Sequence, residues 1–198
     1  MRIVAVVSII LLTVLRFVNL TKIPIFIDEQ TYLKLGEIAA NNKESLFLSL
    51  KYLVFPVVPW ILGIFQLIFA SLFNGLLLGR LVMVVADLIS AFLIFLIGKR
   101  ILSPQYAVFC ALVYLTIPLN FFHSRIVLLE PITNMFFLAG IYYYLENFNA
   151  DRKVEIRKSI SKILSVAILF SLSFLSKPIA LVSFSVLPIA YCYYFFFG

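Results

Sequence analysis

Seven apolar runs, each close to the roughly 20 residues that a helix needs to cross a hydrocarbon layer, divide this chain. They cover residues 3–20, 52–73, 76–98, 106–122, 131–148, 160–176 and 178–197. Within them the apolar residues run on without the one-faced helical stripe or the strand alternation of a soluble domain. Composition agrees, because 64% of the residues are hydrophobic and 13% charged, where soluble domains carry about a quarter charged residues. A mean hydropathy of +1.12 excludes a soluble domain. The expected fold is all-α: a polytopic transmembrane helical bundle with an external loop carrying juxtamembrane helices, built as a single transmembrane domain over residues 1–198.

The 16 Lys and Arg outnumber the 9 Asp and Glu, for a net charge of +7. In a soluble protein that balance would point to nucleic acid. Here several of the cations flank apolar runs, so they are read as topology signals, and no nucleic-acid partner is expected. Residues 3–20 follow a single Arg2 and lack a small-residue cleavage site, which predicts an uncleaved signal anchor. Arg152, Lys153, Arg157, Lys158 and Lys162 make 149–162 a cytoplasmic loop, and Lys99 and Arg100 belong on the same side. Counting spans back places the turn 123–130 outside. Residues 52–73 are interrupted by Pro56, Pro59, Trp60, Gly63 and Gln66, so they are read as juxtamembrane rather than spanning. The loop 21–75 then shares the external face with that turn. Cys110 and Cys192 fall inside apolar runs and are expected as thiols, not as a disulfide.

Polar residues that could carry chemistry gather in three places. In the loop, Asp28 and Glu29 open a short amphipathic helix with Tyr32, Leu35 and Ala39 on one face and Gln30, Lys34 and Glu37 on another. Asp28 reads most economically as an N-cap with Glu29 in the first turn. The same pair, held just outside a membrane, could deprotonate a hydroxyl or hold a metal. In the turn, His123, Arg125 and Glu130 stand together before Pro131, and capping alone accounts only for Glu130. His123 is the one histidine, which rules out a His-rich metal site within this chain. Lys177 lies between two apolar runs, where an ammonium either snorkels or meets a phosphate. Arg80 lies near the external end of its run and could join Lys177; Asp87, deeper in the same run, calls for a partner that the sequence does not identify.

The order of these pieces resembles a known family. A first span, then Asp28-Glu29 with Tyr32, Pro56 with Trp60, Gly79-Arg80-Leu81-Val82, Gly98-Lys99-Arg100, Arg125 with Glu130-Pro131 and Ser176-Lys177-Pro178 is similar to the N-terminal half of the dolichyl-phosphate-mannose protein mannosyltransferases. The layout also resembles the lipid A aminoarabinose transferases of the glycosyltransferase C superfold. The resemblance implies a multi-pass cell-membrane glycosyltransferase that moves a sugar from a polyprenyl-phosphate donor to a protein, lipid or glycan acceptor at the external face. It implies Asp28 as the catalytic base with Glu29 beside it, Glu130 as the second acidic position, and Arg125 and Lys177 as donor-phosphate contacts, with Arg80 a further candidate. One departure is Phe55 before Pro56, where family members often carry Lys or His; Lys51 is the expected substitute. Another is length, since members are usually more than twice as long, which implies an N-terminal fragment.

The residue types suit that chemistry. Transfer from a sugar phosphate needs a base for the acceptor hydroxyl and cations to offset charge on the departing phosphate. No Gly-rich phosphate loop is present, which disfavours a nucleotide-sugar donor. A divalent ion at Asp28 and Glu130 is compatible with these residues and not required by them. The competing class, a transporter or lipid flippase subunit, predicts intramembrane charges lining a path, with Asp87 the acidic candidate. A structural membrane subunit would tolerate neutralisation of Asp28, Glu130 and Lys177.

Overall fold

The computed structural model describes residues 2–42, 47–147 and 156–178, and the regular structure among them is helical with no strand. The side chains of Arg152, Lys153, Arg157 and Lys158, together with Cys192 and the apolar run beyond Pro178, lie outside the described residues. The α-helices are α1 (Arg2–Phe17), α2 (Ile27–Asn41), α3 (Val57–Phe69), α4 (Gly75–Ile101), α5 (Pro104–Thr116), α6 (Pro118–Ser124), α7 (Glu130–Asn147) and α8 (Ile156–Ser176). Short 3-10 turns, Leu20–Lys22 and Leu48–Tyr52, precede α2 and α3.

Helix α4 is the axis. Its 27 residues span about 40 Å at 1.5 Å per residue, more than the roughly 30 Å of a bilayer's hydrocarbon core. It is the one described helix long and apolar enough by itself to cross a membrane. Asn74 caps it, the side chain accepting from the Leu76 N–H at 2.8 Å. The run 106–122, expected as one span, is broken into α5 and α6, which meet at 66°. Pro118 is the cause: it has no N–H to donate and holds Ile117 in an extended conformation (φ −61°, ψ 118°). Helix α3 is 13 residues, about 20 Å, and too short to cross that layer unaided.

Contacts order the helix ends. Near the start of α4, Arg80 meets Glu29 of α2; at its far end Arg100 pairs with Glu146 near the end of α7. Glu130 at the start of α7 pairs with Lys177 just past α8. Helices α4 and α7 therefore run in the same direction, with α8 returning against α7. Helix α2 lies close on α3, crossing where glycines face each other. A Cβ on Gly36 would stand 2.8 Å from the Leu62 Cβ, and one on Gly63 would stand 2.8 Å from the Gly36 carbonyl oxygen.

The core lies at the α2 end, where Leu35, Val57, Val58, Leu62, Met83, Val127 and Ile132 bury one another. Elsewhere large apolar side chains face outward. Ile3, Val4, Val7 and Ile10 of α1, Phe109 of α5 and Ile160 of α8 are each more than half exposed. Surfaces of that composition need apolar surroundings.

Candidate functional site

Helix α2 begins at Ile27, with Phe26 in the capping position. Asp28 is therefore not the cap, as its sequence position had implied, but the second helical residue. It is exposed and makes no hydrogen bond or ion pair among the described residues. Glu29, one residue and about 100° further round the helix, turns inward and is fully buried. Its carboxylate accepts the Phe26 N–H at 3.2 Å and the Val127 N–H at 2.9 Å. Arg80 completes the set, donating from Nε to Oε1 at 2.7 Å and from Nη2 to Oε2 at 2.6 Å.

This arrangement changes two expected roles. Glu29 was grouped with Asp28 as catalytic, yet it is enclosed and its lone pairs are taken by four N–H donors. Arg80 was a candidate for the donor phosphate, yet its remaining N–H groups go to the carbonyls of Leu20, Ile23 and Pro24. A guanidinium has five N–H donors, so none is left for a phosphate. The pair instead fixes α2 and the 20–24 turn to α4, and through Val127 it also fixes the turn that carries Arg125 and Glu130.

Around this anchor stand the groups that remain available. Tyr32 lies one turn beyond Asp28 and is half-buried. Burial, then the charges of Asp28 and Glu130, pushes its phenol up to about 12. It is a neutral O–H donor at physiological pH, and both carboxylates lie close enough to act on it. Glu130 accepts a charge-assisted hydrogen bond from the Lys177 ammonium, and both side chains are about 30% exposed. Burial opposes the charge on Glu130, but the Lys177 hydrogen bond, a backbone hydrogen bond and the positive charge of Lys177 together hold the carboxyl below its ordinary value. His123 adds a weaker pull in the same direction.

Arg125 donates from Nη2 to the Val18 carbonyl and places its guanidinium carbon 5.1 Å from the centre of the Phe121 ring. Its Nε is buried and has no acceptor among the described residues. Lys51 is exposed at the end of its 3-10 turn. Phe55, which stands where the resemblance expects a cation, packs edge-on against Phe174 at 5.7 Å, so the segment before α3 reaches the α8 end that carries Lys177.

Sequence reading missed the partner of Asp87. It is Arg16, fully buried, whose Nε donates to Asp87 Oδ2 at 2.7 Å while Tyr114 Oη donates to Oδ1 at 2.8 Å. An arginine inside an otherwise apolar run was the available signal, since such a charge requires a counter-ion. Among the described residues no group of three or more His, Cys, Asp and Glu could hold an ion. Glu130 is in any case engaged by Lys177. Between α3, α4 and α7 runs an apolar groove of about 390 Å³, lined by Phe65, Phe69, Phe73, Val82, Val85 and Ile132 among others.

The fold among the described residues is helical, with buried charge pairs and, at one end, an exposed carboxylate beside partly buried phenol, carboxylate and ammonium groups. The family model described as dolichyl-phosphate-mannose-protein mannosyltransferase matches residues 54–198, well over half of the 198-residue chain. The chain belongs to that family. Arg80, His123, Arg125, Glu130 and Lys177 lie within the matched residues, whereas Asp28, Glu29, Tyr32 and Lys51 precede them. Neither the curated proteins nor the solved structures contain a match.

Proposed function

We propose that this chain is the N-terminal part of a multi-pass membrane enzyme that transfers a sugar from a polyprenyl-phosphate carrier to an acceptor hydroxyl at the external face, with Asp28 as the base. The observation that carries the reading is at Tyr32, whose half-buried phenol feels the charges of both Asp28 and Glu130. Two acidic groups just over a hundred residues apart in sequence thus act on one patch. Of the two, Asp28 is the one without a hydrogen-bond or ion-pair partner among the described residues, which leaves it open to receive a proton.

In this reading the donor phosphate lies against Lys177 and Arg125. Asp28 takes the proton of the acceptor hydroxyl as its oxygen bonds to the anomeric carbon. The bond between that carbon and the phosphate oxygen breaks, and the lipid phosphate leaves with the electron pair. Lys177 and Arg125 offset the negative charge that develops there. Tyr32 can donate its O–H to the sugar or to the Asp28 carboxylate. The apolar groove, with Ile132 two residues beyond Glu130, supports a lipid-borne donor, since an isoprenoid chain could lie there. The competing transporter reading loses its main candidate, because the charge of Asp87 is closed off by Arg16 and Tyr114.

The test is release of labelled mannose from dolichyl-phosphate mannose onto an acceptor by the complete enzyme. Asp28→Asn keeps the size and loses the proton acceptor, so transfer should fall at least about a hundredfold, the lower range for general-base removal. Donor binding should change little. Near-normal turnover by Asp28→Asn would contradict the role of base.

A further inference from the structure

Arg16 and Arg125 place their guanidinium carbons 5.4 and 5.1 Å from the centre of the same Phe121 ring. Two like charges sharing one aromatic ring repel, unless one of them is neutralised. Arg16 is the neutralised one, through Asp87. Its other contacts, to the carbonyls of Leu12 and Leu115 at 3.1 Å each, fix it between α1 and α5. Arg125 has no carboxylate partner among the described residues, and one of its buried N–H groups has no acceptor. The buried pair is thus connected through a ring to an under-used cation at the edge of the candidate site.

We infer that Arg16, held by Asp87, which Tyr114 holds in turn, is a positioning residue that orients Arg125 toward the donor phosphate through Phe121. The inference rests on the proposed donor contact of Arg125. Arg16 itself touches no substrate: it fixes the plane of Phe121, and the ring in turn fixes the direction of the Arg125 guanidinium. Tyr114 holds the second oxygen of Asp87 and so sets the orientation of the carboxylate. In this arrangement the charge buried among the helices does not mark a transport path. It serves the surface site at a distance.

The test is dolichyl-phosphate mannose binding by the complete protein in nanodiscs. Three variants are compared in the wild-type and Arg125→Gln backgrounds. Arg16→Met combined with Asp87→Leu removes the pair without leaving a lone buried charge. Phe121→Leu removes the ring while leaving the pair intact, and reports even if the double replacement does not fold. Tyr114→Phe removes only the hydrogen bond to Asp87. Phe121→Leu should weaken donor binding roughly three- to tenfold in the wild-type background, the range set by a cation–ring contact. In the Arg125→Gln background it should cause no further loss. Equal losses in both backgrounds, or no loss in the wild type, would overturn the positioning role while leaving the donor contact standing. If Arg125→Gln alone binds the donor as well as wild type, the donor contact itself is overturned and the positioning role with it.

Discussion

Neighbouring acidic residues at the start of α2 should respond to mutation in opposite ways. Glu29→Gln leaves the Arg80 guanidinium charged and enclosed, and breaking one half of such a pair costs about 3–5 kcal/mol. Asp28→Asn touches an exposed group whose only local benefit is the helix dipole, worth at most about 1 kcal/mol. Thermal unfolding in detergent should therefore show a large loss for the first and almost none for the second. Lys177 carries a related prediction. Its ammonium is shared with Glu130, so Glu130→Gln should tighten binding of dolichyl phosphate by freeing it. Lys177→Met should weaken that binding, and Lys177→Arg should retain part of it by keeping the charge with a different geometry. A snorkelling lysine would instead leave the affinity unchanged in all three variants. The residue types of this patch were legible in the sequence, but their division of labour was not. A helix starting at Ile27 turns Asp28 outward and Glu29 inward, and nothing in the letters Asp-Glu distinguishes the two. Arg80 was misread for the same reason: its acceptors are carbonyls of a turn, which leave no side-chain signal.

At the scale of elements, α4 presents Arg80 and Asp87 seven residues, or about two turns, apart on one face. The chain before and within α2 supplies the complementary charges, Arg16 and Glu29. These two rungs set both the rotation and the height of α1 and α2 against α4, which a uniformly apolar surface would leave free to slide. The α2–α3 contact depends on the opposite property, smallness. Gly63→Ala would drive a methyl group against backbone at 2.8 Å, and should destabilise the protein by about 1–3 kcal/mol, readable as a lowered unfolding temperature in detergent. The apolar runs were legible as helices because length and hydropathy suffice for that. The division of 106–122 was not drawn from them, although Pro118 stood in the middle of the run. A proline can kink a membrane helix or end it, and tertiary contacts decide which.

For the whole molecule, the contacts sort the charged groups by helix end. Glu29, Arg80, Arg125, Glu130 and Lys177 gather at the start of α4 and α7, while Lys99, Arg100 and Glu146 stand at their far ends. Residues 149–162, with Arg152, Lys153, Arg157, Lys158 and Lys162, follow the second end in sequence, and basic residues in short loops resist export, which makes that end the cytoplasmic one and the first the external one in our reading. That arrangement is the central claim, because a base, a phenol and phosphate-binding cations can act together on a membrane-borne donor only if they share one face. Sided cysteine labelling tests it most directly. With Cys110 and Cys192 replaced by alanine, single cysteines at positions 28 and 100 are exposed to a membrane-impermeant maleimide in intact cells. Position 28 should be labelled from outside, and position 100 only after the membrane is opened. Labelling of both positions from the same side, or of position 28 only after opening, would contradict the account.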